Sequence, residues 1–339
     1  MDIRKTLELL TGAAGVSGAE SEASRTALEL LSEYAPDAQC DAFGNVTALI
    51  PAQDASAPTL MLDAHIDQIG FIVSYIDPDG FLKVGACGGP DMRIMLAQSV
   101  TVHGAQDIRG VVSTLPPHVS SDHTKVPEAG EIAIDIGMTR EEAEKAVPLG
   151  SRVTVDSDFL ELSDGVISAP SVDDRSGVCA VLCALDMLRG RKLRYNLAVS
   201  FSAQEETGER GVKGAAFRLQ PDEAIAVDVS FGRTPDSVPH ETAVLGSGAM
   251  IGYSAALDRG MSDALKSAAE KNGIPYTIEV MPSSTGTNAD SISISRAGVK
   301  CCTVSIPIRY MHTPIETVRL SDIESAARLI CEYAAGGEK

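Results

Sequence analysis

The chain lacks paired cysteines, a long apolar run and an excess of basic residues, and each absence removes a class of function. Its seven cysteines are scattered, odd in number and without a CxxC pair. Cys179, Cys183, Cys301 and Cys302 lie in apolar runs and read as buried free thiols, so a reducing, cytoplasmic setting is expected. No apolar run approaches the ~18 residues that a membrane-spanning helix needs. The opening MDIRKTLELLTGAAG lacks the apolar core and cleavage pattern of a secretory signal. With 28 Lys and Arg against 47 Asp and Glu, the net charge is −19. That balance argues against nucleic acid or an anionic membrane as partner. There is no internal repeat and no low-complexity linker.

What is present is a large apolar fraction, 44% of 339 residues, enough for two domains. The runs TLMLDAH (59–65), LAVSFSA (197–203), AIAVDVS (224–230) and CCTVSIP (301–307) look like strands buried on both faces. Such strands belong to a mostly parallel sheet covered by helices. Ser17 with Glu20, Thr139 with Glu142 and Ser321 with Glu324 have the spacing of capping boxes and predict helix starts. The last of these helices should stop at Gly336-Gly337. VCAVLCALDML, after SAPSVDDRSG, reads as a buried helix. Between 68 and 163 the texture changes to short strand-like runs, GFIVSYI, SVTVHG, GVVSTL, EIAIDI and RVTVDS, separated by turns such as DPDG and GGP. A small β-rich domain (68–163) inserted into an α/β domain (1–67 and 164–339) is the expected organisation.

Each buried run delivers a polar residue where its strand should end. These are His65 with Asp67, the series Gln204-Glu205-Glu206, Asp228, and the stretch Arg309 to His312. Asp173 opens the buried helix. Ligands of open α/β sheets lie outside the carboxyl ends of the strands. Taken singly, a strand-end histidine is usually structural and an Asp before a helix is usually a cap. Together, Asp173, Glu206 and Asp228 would place about three negative charges in one crevice, with strong mutual repulsion. Two divalent cations would supply about +4, and imidazole with carboxylate suits Zn²⁺ or Co²⁺ better than Mg²⁺.

The stretches AHIDQIGFIV, GGPDMRIMLAQSV, LPPHVS, APSVDDRSG, QEETGERGVKGA, DVSFGRTP, GTNADSI and IPIRYMHTPIE occur in one order along nearly the whole chain. In them the chain resembles the M42 family of di-metal aminopeptidases, which includes glutamyl and deblocking enzymes and proteins labelled as endoglucanases. The resemblance implies an α/β/α peptidase domain with a small inserted β-barrel-like domain. It implies that Asp173 bridges two metal ions, that His65 and Asp228 complete one site, and that Glu206 and His312 complete the other. Glu205 would be the general base acting on a metal-bridging water, and Asp67 would hydrogen-bond the second ring nitrogen of His65. A cis peptide is implied at Asp173–Asp174, and on the charge argument Asp174 is expected to support the turn, paired with Arg175. Family members bind peptide substrates and self-associate through the inserted domain into dimers and hollow tetrahedral dodecamers.

Gln68 and Asn288 depart from the family pattern, which commonly has Glu and Asp there, and neither position is a ligand in that pattern. Asp290, Arg309 and Tyr310 are candidates for the substrate pocket. His118 reads as structural, with a reach into a neighbouring subunit as the alternative, and His103, His123 and His240 read as non-ligands. An aminopeptidase is the leading expectation, and a di-metal deacylase of N-acyl substrates is the alternative. Glycosidase activity is disfavoured because it needs two free carboxyls flanking the sugar bond, and here the acids are committed to metal.

Overall fold

The computed structural model describes residues 1–116, 118–119 and 125–335. The long apolar runs form the centre of a mixed sheet, in the order Asn196–Ser202, Thr59–His65, Glu223–Phe231 and Lys300–Arg309, all mutually parallel. Parallel pairing is confined to this centre and to an edge pair, Ala249–Ser254 with Tyr276–Met281. Both flanks are antiparallel, through Val46–Ile50 on one side and through Glu316–Arg319 and Val166–Ala169 on the other. At one of these steps the physical reason is local connection. Strands 300–309 and 316–319 are joined by a short loop, and a short loop returns the chain antiparallel.

Two successive antiparallel steps leave Val166–Ala169 parallel to the centre, so its carboxyl end faces the same way as theirs. One edge of the sheet therefore collects the segments after His65, Ser202, Phe231, Arg309 and Ala169. Side chains alternate between faces. One face carries Leu60, Leu62, Val199 and Val227 against the helices Ile3–Gly12, Val172–Leu188 and Leu320–Ala334. The other carries Met61, Ala198 and Ala226 against Arg210–Leu219 and Asn288–Ser293.

The short middle runs close into a six-stranded barrel with its own core, including Phe71, Val100, Ile134 and Val153. Its strands run from Gly70–Ile76 to Arg152–Val155, and Leu160–Glu161 already pairs in the large sheet. One barrel strand, Leu82–Cys87, was not legible as a strand, because Lys83 and Gly85 dilute its alternation.

Of the three expected capping boxes, only Thr139 with Glu142 forms, at the start of Arg140–Ala146. The helix near Ser17 begins at Ser21 after Glu20, because the Ser17 hydroxyl is used by Asp67 instead. The last helix begins at Leu320, one residue before Ser321, since the preceding strand runs directly into it. It ends at Ala334, and Gly336-Gly337 lie outside the described residues, as do His123 and parts of LPPHVS. The described cysteines are all free, and only Cys40 is exposed. Among the described residues no helix is long and apolar enough to cross a membrane.

Candidate metal centre

His65 is the last residue of its strand and pairs in register with Ser202, so the turn carrying Glu205 and Glu206 starts beside it. Asp228 lies in the next strand, in register with Ser305. Asp173 enters from the loop after Val166–Ala169, where the backbone departs from helical geometry at Asp173 and Asp174 and the peptide between them is cis, as expected.

These positions bring the five expected ligands into two groups that share one residue. His65, Asp173 and Asp228 form the first, and Asp173, Glu206 and His312 the second, with ligand atoms of each group within 4.8 Å of one another. Asp173 turns one oxygen to each imidazole. Its Oδ1 is 3.0 Å from His65 Nε2, and its Oδ2 is 3.5 Å from His312 Nε2. His312 Nε2 is 3.4 Å from Glu206 Oε1, and His65 Nε2 is 3.9 Å from Asp228 Oδ1.

Asp67 is fully buried behind this layer. The closer acceptor for His65 Nδ1 is the main-chain carbonyl of Asp67, at 3.1 Å, with the carboxylate at 3.5 Å. That carboxylate accepts the Ser17 hydroxyl and the N–H groups of Glu205 (2.9 Å) and Glu206 (3.2 Å). One residue thus fixes both the imidazole and the turn that carries the two glutamates. Asp174 accepts the N–H of His65 and of Gly177. Arg175 is not its partner: the guanidinium donates to the carbonyls of Leu10 and Ala13, tying the first helix to this one.

Nothing in the local sequence marks Glu316 as part of the centre. It is buried and accepts the N–H of Asp173 at 2.9 Å and of His312 at 2.8 Å, so it joins the shared carboxylate to the second imidazole. Gly89, on the barrel side, is hidden in the sequence for a different reason. Its carbonyl accepts from His312 Nδ1 at 2.9 Å, and main-chain acceptors have no side-chain signature. A Cβ on Gly89 would lie 3.1 Å from that nitrogen.

The electrostatics show what the group needs. Burial works to raise the pKa of Asp173, but hydrogen bonds from His312 and His65 outweigh it and hold the carboxyl below the ordinary range. Burial, reinforced by Asp173, pushes Glu206 up to about 8, and burial with repulsion from Asp174 raises Asp228 well above the usual value. Glu205 rises to about 7, mainly through burial and partly through the charge of Asp67 and Asp173, with His65 opposing. His312 is pushed up to about 9, chiefly by its hydrogen bond to Asp173. The imidazoles alone leave these acids short of positive charge. A mixed imidazole and carboxylate set of this kind suits divalent cations.

The groups open onto a cavity of about 420 Å³ that Glu205 also lines. Asp290, Arg309 and Tyr310 do not line it. Asp290 instead accepts the N–H of Thr285 and Gly286, holding a loop that does. Asn288 sits beneath the centre, donating to Asp63 and Ser202 at 2.7 Å each. Gln68 is buried at the start of the insert, where its N–H meets Gly15. His103 bonds Asp107 and Thr154, His240 and His118 are exposed, and none of them joins either ligand group.

Comparison with known proteins gives the same direction. A family model for the M42 glutamyl aminopeptidases matches residues 44–329. A lysyl aminopeptidase of Pyrococcus furiosus is 33% identical over 322 residues, covering 93% of this chain and 92% of the relative. The solved aminopeptidase of the archaeon Desulfurococcus kamchatkensis superposes with a TM-score of 0.92 at 33% identity, over 98% of this chain and 94% of that one. The TET1 peptidase of Pyrococcus horikoshii, which can assemble into a tetrahedron or a large octahedral shell, matches with a TM-score of 0.87 at 29% identity, over 99% of this chain and all of that one. Peptidases of this family are metal-dependent, and the chain belongs to the M42 family as an aminopeptidase, a hydrolase.

Proposed function

We propose that this chain removes N-terminal residues from peptides with two divalent metal ions bridged by Asp173, and that Glu205 is the general base. The observation that carries this reading is the single carboxylate with one oxygen toward His65 and the other toward His312. His65, Asp173 and Asp228 would hold one ion, and Asp173, Glu206 and His312 the other, with Zn²⁺ or Co²⁺ the best match to the donors. Bound there, the ions would polarise the scissile carbonyl and make water acidic enough to be deprotonated near neutral pH.

Glu205 borders the same cavity, where its carboxylate would take a proton from the attacking water and return it to the departing amine. Asp67 anchors the turn that carries Glu205 and Glu206 by receiving both of their N–H groups. It also fixes the His65 ring so that Nε2 faces the ligands. The closed barrel is the unit through which the chain would self-associate, as a dimer and then a tetrahedral dodecamer. The shells formed by the Pyrococcus horikoshii relative support that reading. The buried free thiols suit a cytoplasmic setting.

The test is a panel of aminoacyl-p-nitroanilides and their N-acetylated forms, assayed after chelation and after return of Zn²⁺, Co²⁺ or Mn²⁺. Metal-restored release from free-amine substrates alone is expected. Release of p-nitroaniline only from the acetylated forms would make the chain a deblocking peptidase, release of acetate without p-nitroaniline would make it a deacylase, and no metal-dependent release would contradict the proposal.

A further inference from the structure

The cavity beside the ligand groups has one carboxylate that the chemistry above does not use. Glu279, on the edge strand Tyr276–Met281, lines it together with Val229, Phe231, Met281 and Met311. Ser230 donates its hydroxyl to one Glu279 oxygen, and Ser305 donates to the other at 2.9 Å. Each oxygen keeps acceptor capacity for a further donor. Its surroundings consist of burial and these two hydroxyls, with no cationic side chain among the described residues acting on it. A half-buried carboxylate without a counter-charge is costly, so its place on a substrate cavity calls for a cation from outside the chain.

Position decides which cation. Ser230 is two residues beyond Asp228 on one strand, about 7 Å further along it, and Ser305 lies level with Asp228 on the neighbouring strand, about 5 Å to its side. The α-amine of a bound peptide lies next to the scissile bond and hence close to the ligand groups. A carboxylate held about 5–7 Å from that ligand residue matches the end of a lysine or arginine stem instead, with the apolar walls covering the methylenes. Resting on the aminopeptidase reading, we propose that Glu279 selects substrates whose N-terminal residue is lysine or arginine.

The experiment compares Arg-, Lys-, Gln-, Leu- and Glu-p-nitroanilides on the metal-loaded wild type and on Glu279→Gln. The wild type is expected to prefer Arg and Lys. The variant is expected to lose about 10- to 100-fold in kcat/KM on those two, with Leu within a few-fold. Calorimetric binding of L-lysine against L-norleucine should show the same loss without turnover. A wild-type preference for Leu or Glu would overturn the inference and leave the aminopeptidase reading standing. An equal loss on all substrates would assign Glu279 to the common α-amine and also overturn it. Absence of metal-dependent release from every substrate would remove both.

Discussion

His65 and His312 reach the same carboxylate from opposite sides, but the molecule holds them in different ways. The side chain of His65 is 2% exposed and ends a regular strand, with both ring nitrogens engaged by residues of the α/β domain. The side chain of His312 is 33% exposed and sits in a loop at φ 62, a left-handed conformation unusual for a non-glycine residue. Its Nδ1 is oriented by Gly89, from the loop that leaves the barrel strand Leu82–Cys87, 223 positions away in sequence. One half of the centre is therefore built by the sheet and the other at the seam between sheet and barrel. The sheet-built half should bind its ion firmly, and the seam-built half should be the exchangeable one.

The largest effect is expected where the halves coincide. Asp173→Ala removes a ligand from both, and kcat/KM should fall on the order of 10³-fold or more, since metal polarisation contributes several kcal/mol. Retained activity in that variant would dissolve the distinction between the halves. Glu205→Gln should come next, with kcat down about 10²- to 10⁴-fold and both ions still bound. Loss of metal along with activity would show that Glu205 is a ligand. As the proposed base, Glu205 should also set the acid limb of the pH profile. Burial raises Glu205 to about 7, and it acts only when ionised, so activity should climb as pH rises through its pKa. Bound cations lower that pKa, which puts the midpoint of the limb at or below 7. A limb that survives unchanged in the residual activity of Glu205→Gln would belong to another group.

His312→Ala and His65→Ala separate the halves directly. Both should lose activity, but His65→Ala should also lower the melting temperature more, because it empties a buried position between Asp67 and Asp173. Equal thermal effects would mean that exposure does not distinguish them. The smallest effect is expected for Gly89→Ala, whose new Cβ would crowd His312 Nδ1 at 3.1 Å. A change in such an outer contact costs about 10- to 100-fold in metal affinity or activity. It should weaken only the exchangeable ion and leave the first site's affinity as it was.

The same contrast explains what could be read in advance. The central strands and His65 were legible because a both-faces-buried strand is a continuous apolar run, and its polar terminus stands out against it. The barrel was legible as a change of texture, although Leu82–Cys87 was lost in its Lys and Gly. What stayed hidden were contacts made by main-chain atoms or by distant acids with no local signature. Gly89 shows only a backbone oxygen, and Glu316 looks like an ordinary charge after a proline until the fold brings it to Asp173 and His312. Ser17 had the spacing of a cap yet serves Asp67, because a buried carboxylate competes successfully for a nearby hydroxyl. Glu279 lies on an edge strand whose alternation is weak, so nothing local marks it as facing the cavity.

The most direct measurement is the metal content per chain by mass spectrometry, after dialysis against limiting chelator, for the wild type, His312→Ala and Asp173→Ala. Two ions sharing Asp173 predict about two per chain in the wild type, about one in His312→Ala and close to none in Asp173→Ala. A wild type that binds a single ion, or an Asp173→Ala variant that keeps two, would contradict the bridged pair.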